Sequence, residues 1–200
     1  MKFFLNPGHC PDIINGIMAD SGAVNEVYDL KEAVVARDIC RHLRFFLESA
    51  GHRVFVLQSN NLRNGWDDDL SYPCIVDEAN KYGADFSISI HLNAFNGMAK
   101  GTETLVFSRN SGADRMAQCI QKAIVSKFGT VDRGVKYEED KPREKRLSFI
   151  MKTDMPAILV ECCFIDNAYD VETLMNNGEI EYAKAIFDGI DEYVRRIYNA

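Results

Sequence analysis

The chain has no Cys-x-x-Cys pair, no apolar run long enough to span a bilayer, no internal repeat and no low-complexity tract or linker. Each absence removes a class. Six cysteines without a framework of regular spacing read as reduced thiols, not a disulfide scaffold. Vicinal Cys162 and Cys163 would point to opposite faces of a strand, which disfavours a bond between them. The N-terminus, MKFFLNPGHC, holds too few apolar residues for a signal peptide. The expectation is therefore a soluble, unexported chain without membrane association, synthesised in the cytoplasm, or a secreted one from which a leader was removed. Basic charge is also short: a net charge of −7 argues against nucleic acid and anionic membrane surfaces as partners.

What is present suits one globular domain spanning residues 1–200, with 46% hydrophobic and 26% charged residues. Strand-like and helix-like stretches alternate, which predicts an α/β fold: a single twisted, mostly parallel six-stranded sheet flanked by helices. The strand candidates are Lys2–Leu5, Arg53–Gln58, Phe86–Ile90, Thr102–Phe107, Leu147–Met151 and Ala157–Val160. The helix candidates are Lys31–Ser49, Ile75–Tyr82, Ala113–Phe128, Ala168–Met175 and Glu179–Tyr198. In the first helix Val35, Ile39, Leu43, Phe46 and Leu47 recur at helical spacing, Asp29 with Glu32 resembles a capping box, and Gly51 is a stop. Cys10–Val27 and the highly charged Lys136–Arg146 read as loops, the second as solvated.

Polar residues sit where the apolar strands end. KFFLN runs into Pro7-Gly8-His9, FSISI into His91-Leu92-Asn93, and AILV into Glu161. Ligands of open α/β sheets bind along the rim of strand carboxyl ends. Two imidazoles and a carboxylate on one rim are the raw material of a zinc hydrolase centre. Taken alone, His9 is as readily a turn residue, and His91 a hydrogen-bonded core histidine. Glu161, entering the rim from an apolar run, needs a cation or an ion-pair partner. An open catalytic zinc site needs a third ligand, for which Glu26 and Glu32 are the candidates. The remaining histidines, His42 and His52, read as structural. A thiol reading would use Cys10 as nucleophile, although sequence neighbours such as His9 seldom activate one another.

Four blocks carry a resemblance across nearly the whole chain: FFLNPGHC with DSGAV; EAVVARDICRHLRFFLESAGHRV; ADFSISIHLNAFNGMAKGTETLVF; and DRGVK with MPAILVECCFIDNAYDVETL. Together they resemble the zinc-dependent N-acetylmuramoyl-L-alanine amidases of the type-3 family, which cut peptidoglycan. The resemblance implies Zn2+ held by His9, Glu32 and His91, with Glu161 the catalytic carboxylate; Asn93, two residues past His91, is read from its position as orienting that ligand or binding substrate. Glu26 is the alternative third ligand. It implies hydrolysis of the amide between N-acetylmuramic acid and L-alanine by a monomer. Other readings are a zinc peptidase cutting within the stem peptide, the Cys10 thiol hydrolase and a glycan-binding module. The chain departs from the family in having Cys10-Pro11 after the first histidine and Cys162-Cys163 after Glu161. No long insertion follows Asn93, so an open site is expected.

Overall fold

The computed structural model describes residues 1–14, 17–62 and 73–198. It begins with β1 (Lys2–Pro7), a hairpin of β2 (Cys10–Ile14) and β3 (Ile17–Asp20), and two short strands, β4 (Val24–Asn25) and β5 (Leu30–Lys31). Then come α1 (Glu32–Ser49), β6 (Arg53–Val56), α2 (Ile75–Tyr82), β7 (Phe86–Asn93) and β8 (Thr102–Val106). The remainder is α3 (Gly112–Phe128), β9 (Asp132–Tyr137), α4 (Ser148–Lys152), β10 (Ala157–Phe164), α5 (Ala168–Glu172) and α6 (Gly178–Tyr198).

Six strands form one sheet in the order β6-β1-β7-β10-β8-β9. The first four in that order run parallel; β8 is antiparallel to β10, and β9 runs parallel to β8. Alternation along the strands splits the interior into two layers. Phe3, Leu5, Ile88, Ile90, Ile158 and Val160 face α1, α3 and α6. Phe4, Ala157, Leu159 and Leu105 face α2 and α4. Burial on both faces explains why β1, β7 and β10 read as near-continuous apolar runs. Among the described residues no helix is long and apolar enough to cross a membrane, and all six cysteines are buried and unpaired.

The sheet has the expected number of strands, but one member differs. Leu147–Met151, predicted as a strand, turns instead through the single-turn α4. Its neighbours Phe149 and Ile150 are both buried in the layer under α2 and α4. A strand would send them to opposite faces, whereas one helical turn directs both inward. The sixth strand is β9, DRGVKY, a charged stretch absent from the strand candidates, with Gly134 at φ 77°. It is an edge strand, half exposed, tied to α3 by Gln121 donating to Asp132 (2.7 Å) and Tyr137 donating to Asp114 (3.1 Å).

The loop expected over Cys10–Val27 contains the β2–β3 hairpin and β4; Asn15 and Gly16 lie outside the described residues. Lys136–Arg146 begins inside β9 and continues as two 3-10 turns, mostly exposed. Glu138 in it is nonetheless fully buried, accepting from Lys141 Nζ (2.7 Å) and from the Leu147 N–H (2.8 Å).

The capping box is also corrected. Asp29 is exposed with φ 51°, and Glu32 occupies the first helical position rather than the third. Backbone carbonyls take over the cap: the N–H of Glu32 donates to Ala23 O (2.9 Å) and that of Ala33 to Ser21 O (3.1 Å). The Glu32 side chain is thereby free for another task.

Helices α3 and α6 meet at Gly189, where an added Cβ would lie 2.5 Å from Ile120 Cα, a backbone atom that cannot swing aside. Gly189→Ala should therefore lower stability in urea denaturation. The helix-propensity gain of about 1 kcal/mol is outweighed by overpacking of roughly 1–3 kcal/mol. A more stable variant would contradict this close packing.

Candidate metal centre

The parallel strands bring His9, just past β1, and His91, inside β7, to the same rim. Glu32 reaches between them from the start of α1. His9 Nε2 is 3.2 Å from Glu32 Oε2, and His91 Nδ1 is 2.9 Å from Glu32 Oε1. The ligand atoms of these three residues all lie within 4.8 Å of one another. Glu32 is 4% exposed, and its oxygens also accept from the Ala23 N–H (3.0 Å) and the Leu92 N–H (3.1 Å). Burial by itself would raise the pKa of this carboxyl; the hydrogen bonds from His9 and His91 outweigh it and hold the group well below the usual carboxylate range.

His9 adopts φ 58°, and its Nδ1 donates to Asp20 Oδ2 (2.7 Å) at the end of the hairpin. Asp20 Oδ1 accepts from the Gly22 N–H (2.9 Å). Burial disfavours the protonated ring, but Glu32 and then Asp20 overcome it and lift His9 to about 9. Both ring nitrogens face carboxylates, an arrangement that favours the protonated ring. An imidazole turned by a carboxylate so that its other nitrogen meets the donor set is a recurrent arrangement of metal sites.

Two nitrogens and a carboxylate oxygen converging on one point suit zinc chemically. Glu26, by contrast, is exposed and takes no part in the cluster. His42 and His52 lie elsewhere, next to Arg41 and the N-terminal amine respectively.

Glu161 stands on β10 directly opposite His91 on β7. Both strands run further than their apolar cores suggest, to Phe164 and Asn93, so these residues sit within strands rather than after them. Glu161 Oε2 is buried without a hydrogen-bond partner among the described residues. Burial, with Glu32 and Glu103 adding like charge against the opposing pull of His91, pushes Glu161 up to about 7. Such a group holds or releases a proton near neutrality. Asn93 donates to Glu103 Oε1 (3.0 Å). Cys10 is buried and its thiol is pushed up, chiefly by burial, the opposite of an activated nucleophile.

A cleft of about 270 Å³ opens beside the imidazoles, with Asn6, Ser89, Ile75, Phe149 and Leu159 among its lining. Residues 94–101, between β7 and β8, contain no helix. Sequence reasoning missed Asp20, Asn6, Ser89, Glu103 and Arg133. Glu103 carried the same mark as Glu161, a carboxylate in a strand otherwise apolar or small. The contact between Asp20 and His9 depends on the hairpin and left none.

Residues 4–192 match the family model described as N-acetylmuramoyl-L-alanine amidase. The chain belongs to that family. It is 34% identical over 180 residues to the protein YqiI of Bacillus subtilis strain 168, covering 87% of this chain and 79% of YqiI. It is 32% identical over 196 residues to the N-acetylmuramoyl-L-alanine amidase LytC of the same strain, covering 96% of this chain but only 35% of LytC. Its fold superposes on the N-acetylmuramoyl-L-alanine amidase of Clostridium difficile 630 with a TM-score of 0.75 and 26% identity, covering 97% and 96% of the two chains. The expected α/β fold and amidase family both hold.

Two glycines let the His9, Glu32 and His91 side chains close on one another. A Cβ on Gly8 would lie 2.5 Å from His91 Nδ1; one on Gly22, at φ 63°, would lie 2.6 Å from His9 Cδ2 and 2.7 Å from Glu32 Oε2. Gly22→Ala should weaken divalent-metal binding by about 10- to 100-fold, the usual effect of displacing groups behind the ligands, although it removes no donor atom. Equilibrium dialysis against zinc checks this; undiminished affinity would show that the cluster does not hold the metal.

Proposed function

We propose that residues 1–200 form a single catalytic domain that acts, as a monomer, on peptidoglycan. It hydrolyses the amide joining the lactyl group of N-acetylmuramic acid to L-alanine, with zinc held by His9, Glu32 and His91. One observation carries the reading: three converging metal donors stand beside a carboxylate with a buried, unpartnered oxygen on the neighbouring strand.

Zinc at these donors supplies Lewis acidity, polarising the scissile carbonyl and lowering the pKa of a water towards roughly 7. The chain does the rest. Glu161, ionised above its raised pKa, takes the proton of the attacking water on its carboxylate and passes it to the departing alanine nitrogen. The products are a free lactyl carboxylate and an L-alanine amine. The Ala23 and Leu92 N–H groups hold the Glu32 carboxylate in place, and Asp20 keeps His9 turned with Nε2 towards the donor set. Asn93, fixed by Glu103, offers its side-chain oxygen to the substrate's amide hydrogens.

The test is digestion of purified peptidoglycan, with and without chelator and zinc add-back, with the new chain ends identified by mass spectrometry. Zinc-dependent release of stem peptides with free L-alanine amines is expected; cleavage inside the stem would move the protein to the peptidase reading. Glu161→Gln should keep zinc but lower kcat roughly 10²-fold or more, as for loss of a general base. A variant with near-parental turnover would remove Glu161 from the mechanism. Glu32→Ala should abolish tight zinc binding while Glu26→Ala leaves it intact, and the reverse would transfer the ligand to Glu26.

Metal loading should also depend on pH. Below about 9 the metal-free His9 carries a proton that zinc must expel, so affinity should fall about tenfold per pH unit below that value. Calorimetry in buffers of differing ionisation enthalpy should register one proton released from His9 near pH 7.5. That proton should be missing in His9→Ala, and its persistence there would exclude His9 as its source.

A further inference from the structure

At the level of the metal centre, one residue from each of four adjacent strands lines up on the sheet face that carries α2 and α4. His91 on β7 pairs with Glu161 on β10, and Glu161 pairs with Glu103 on β8. Glu103 in turn receives Arg133 of the edge strand β9, Nε to Oε2 at 2.8 Å. The row ends in its one permanent cation.

Arg133 is held more firmly than a surface arginine needs to be. Its guanidinium lies over the Phe164 ring, 4.9 Å from the centroid. Glu103 is itself pinned, because its other oxygen accepts from Asn93 (3.0 Å) and its side chain is 13% exposed. Yet only Nε meets Glu103. The two terminal nitrogens, which carry most of the donors of the guanidinium fork, have no partner among the described residues, and the side chain is 35% exposed. A guanidinium fixed through one edge with its fork open is preorganised for a second carboxylate.

We propose that Arg133 anchors the free carboxylate of the stem-peptide residue that follows L-alanine, so that the protein favours acidic over amidated stems. The proposal rests on the amidase reading, which places the scissile bond beside Glu161. The acidic residue after alanine carries its carboxylate about 6 Å from the scissile nitrogen, given 3.8 Å between Cα atoms across a peptide. Strands β10 and β9 are two steps apart, about 10 Å, and the Arg133 side chain leans back towards Glu103, so the fork falls within reach. Charge argues the same way. Asp20, Glu32, Glu103 and Glu161 crowd this rim, so a substrate carboxylate entering it needs a cation at the far end.

The experiment compares two muramoyl peptides that differ only in whether the residue after L-alanine bears a free acid or a carboxamide. The parental protein should cleave the acid with kcat/KM about 10- to 100-fold higher, the worth of a charge-assisted hydrogen bond. Arg133→Gln should lower kcat/KM for the acid by that factor and for the amide far less, collapsing the preference. Arg133→Lys should restore part of it, which a purely structural role would not do. Equal turnover of the two substrates by the parental protein, or equal loss on both in Arg133→Gln, would overturn the proposal.

Calorimetric binding of the two free dipeptides to the zinc-loaded protein separates this inference from the one beneath it. Tighter binding of the acidic dipeptide, lost in Arg133→Gln, with neither muramoyl peptide cleaved would retain the carboxylate site and dismiss the amidase. Cleavage with indifferent dipeptide binding would do the reverse.

Discussion

Everything at the rim depends on one buried carboxylate. Glu32 accepts from both imidazoles and from two backbone N–H groups, so a group that is expensive to bury becomes the fixed point of the site. That role reaches into the local fold. Ala23 donates its N–H to the Glu32 side chain and accepts the Glu32 N–H on its carbonyl, so the loop that caps α1 also holds the carboxylate in place. The helix start, the loop and the candidate metal centre are one structure. A side-chain cap by Asp29 would have drawn Glu32 away from the imidazoles.

Two levels of support surround that point. Gly8 and Gly22 leave room for the rings to approach the carboxylate, and Asp20 turns His9 towards it. Beyond them the sheet sets the spacing. Parallel pairing of β1, β7 and β10 delivers His9, His91 and Glu161 to one edge, while antiparallel β8 and edge strand β9 continue the same line through Glu103 to Arg133. The transition from His91 through carboxylates to arginine crosses the sheet perpendicular to the chain, a direction in which sequence neighbours carry no information.

Much of this was legible beforehand. The apolar runs of β1, β7 and β10 are buried on both faces and bounded by turn residues, so each announces itself and marks the polar residue at its end. The period of Val35, Ile39, Leu43 and Leu47 did the same for α1. The failures have local causes. DRGVKY is a strand because β8 offers it an edge to pair with, not because of its own propensity. Leu147–Met151, LSFIM, is a short, mostly apolar segment whose periodicity does not separate a strand from a helical turn. The choice between Glu26 and Glu32 was open because both lie between His9 and the body of α1; the backbone cap supplied by Ser21 and Ala23 put Glu32 between the imidazoles and left Glu26 in solvent.

By itself the sequence determined the alternation of elements and which polar residues close the apolar strands, since hydrophobic patterning and chain order suffice for these, while its motifs carried the resemblance to the family. Only tertiary structure decided that Glu32 joins the two histidines, that Asp20 and two glycines shape the cluster, and that Glu103 and Arg133 extend it. Those contacts link residues 10 to 83 positions apart through side-chain reach and strand register, quantities that exist only once the sheet has formed.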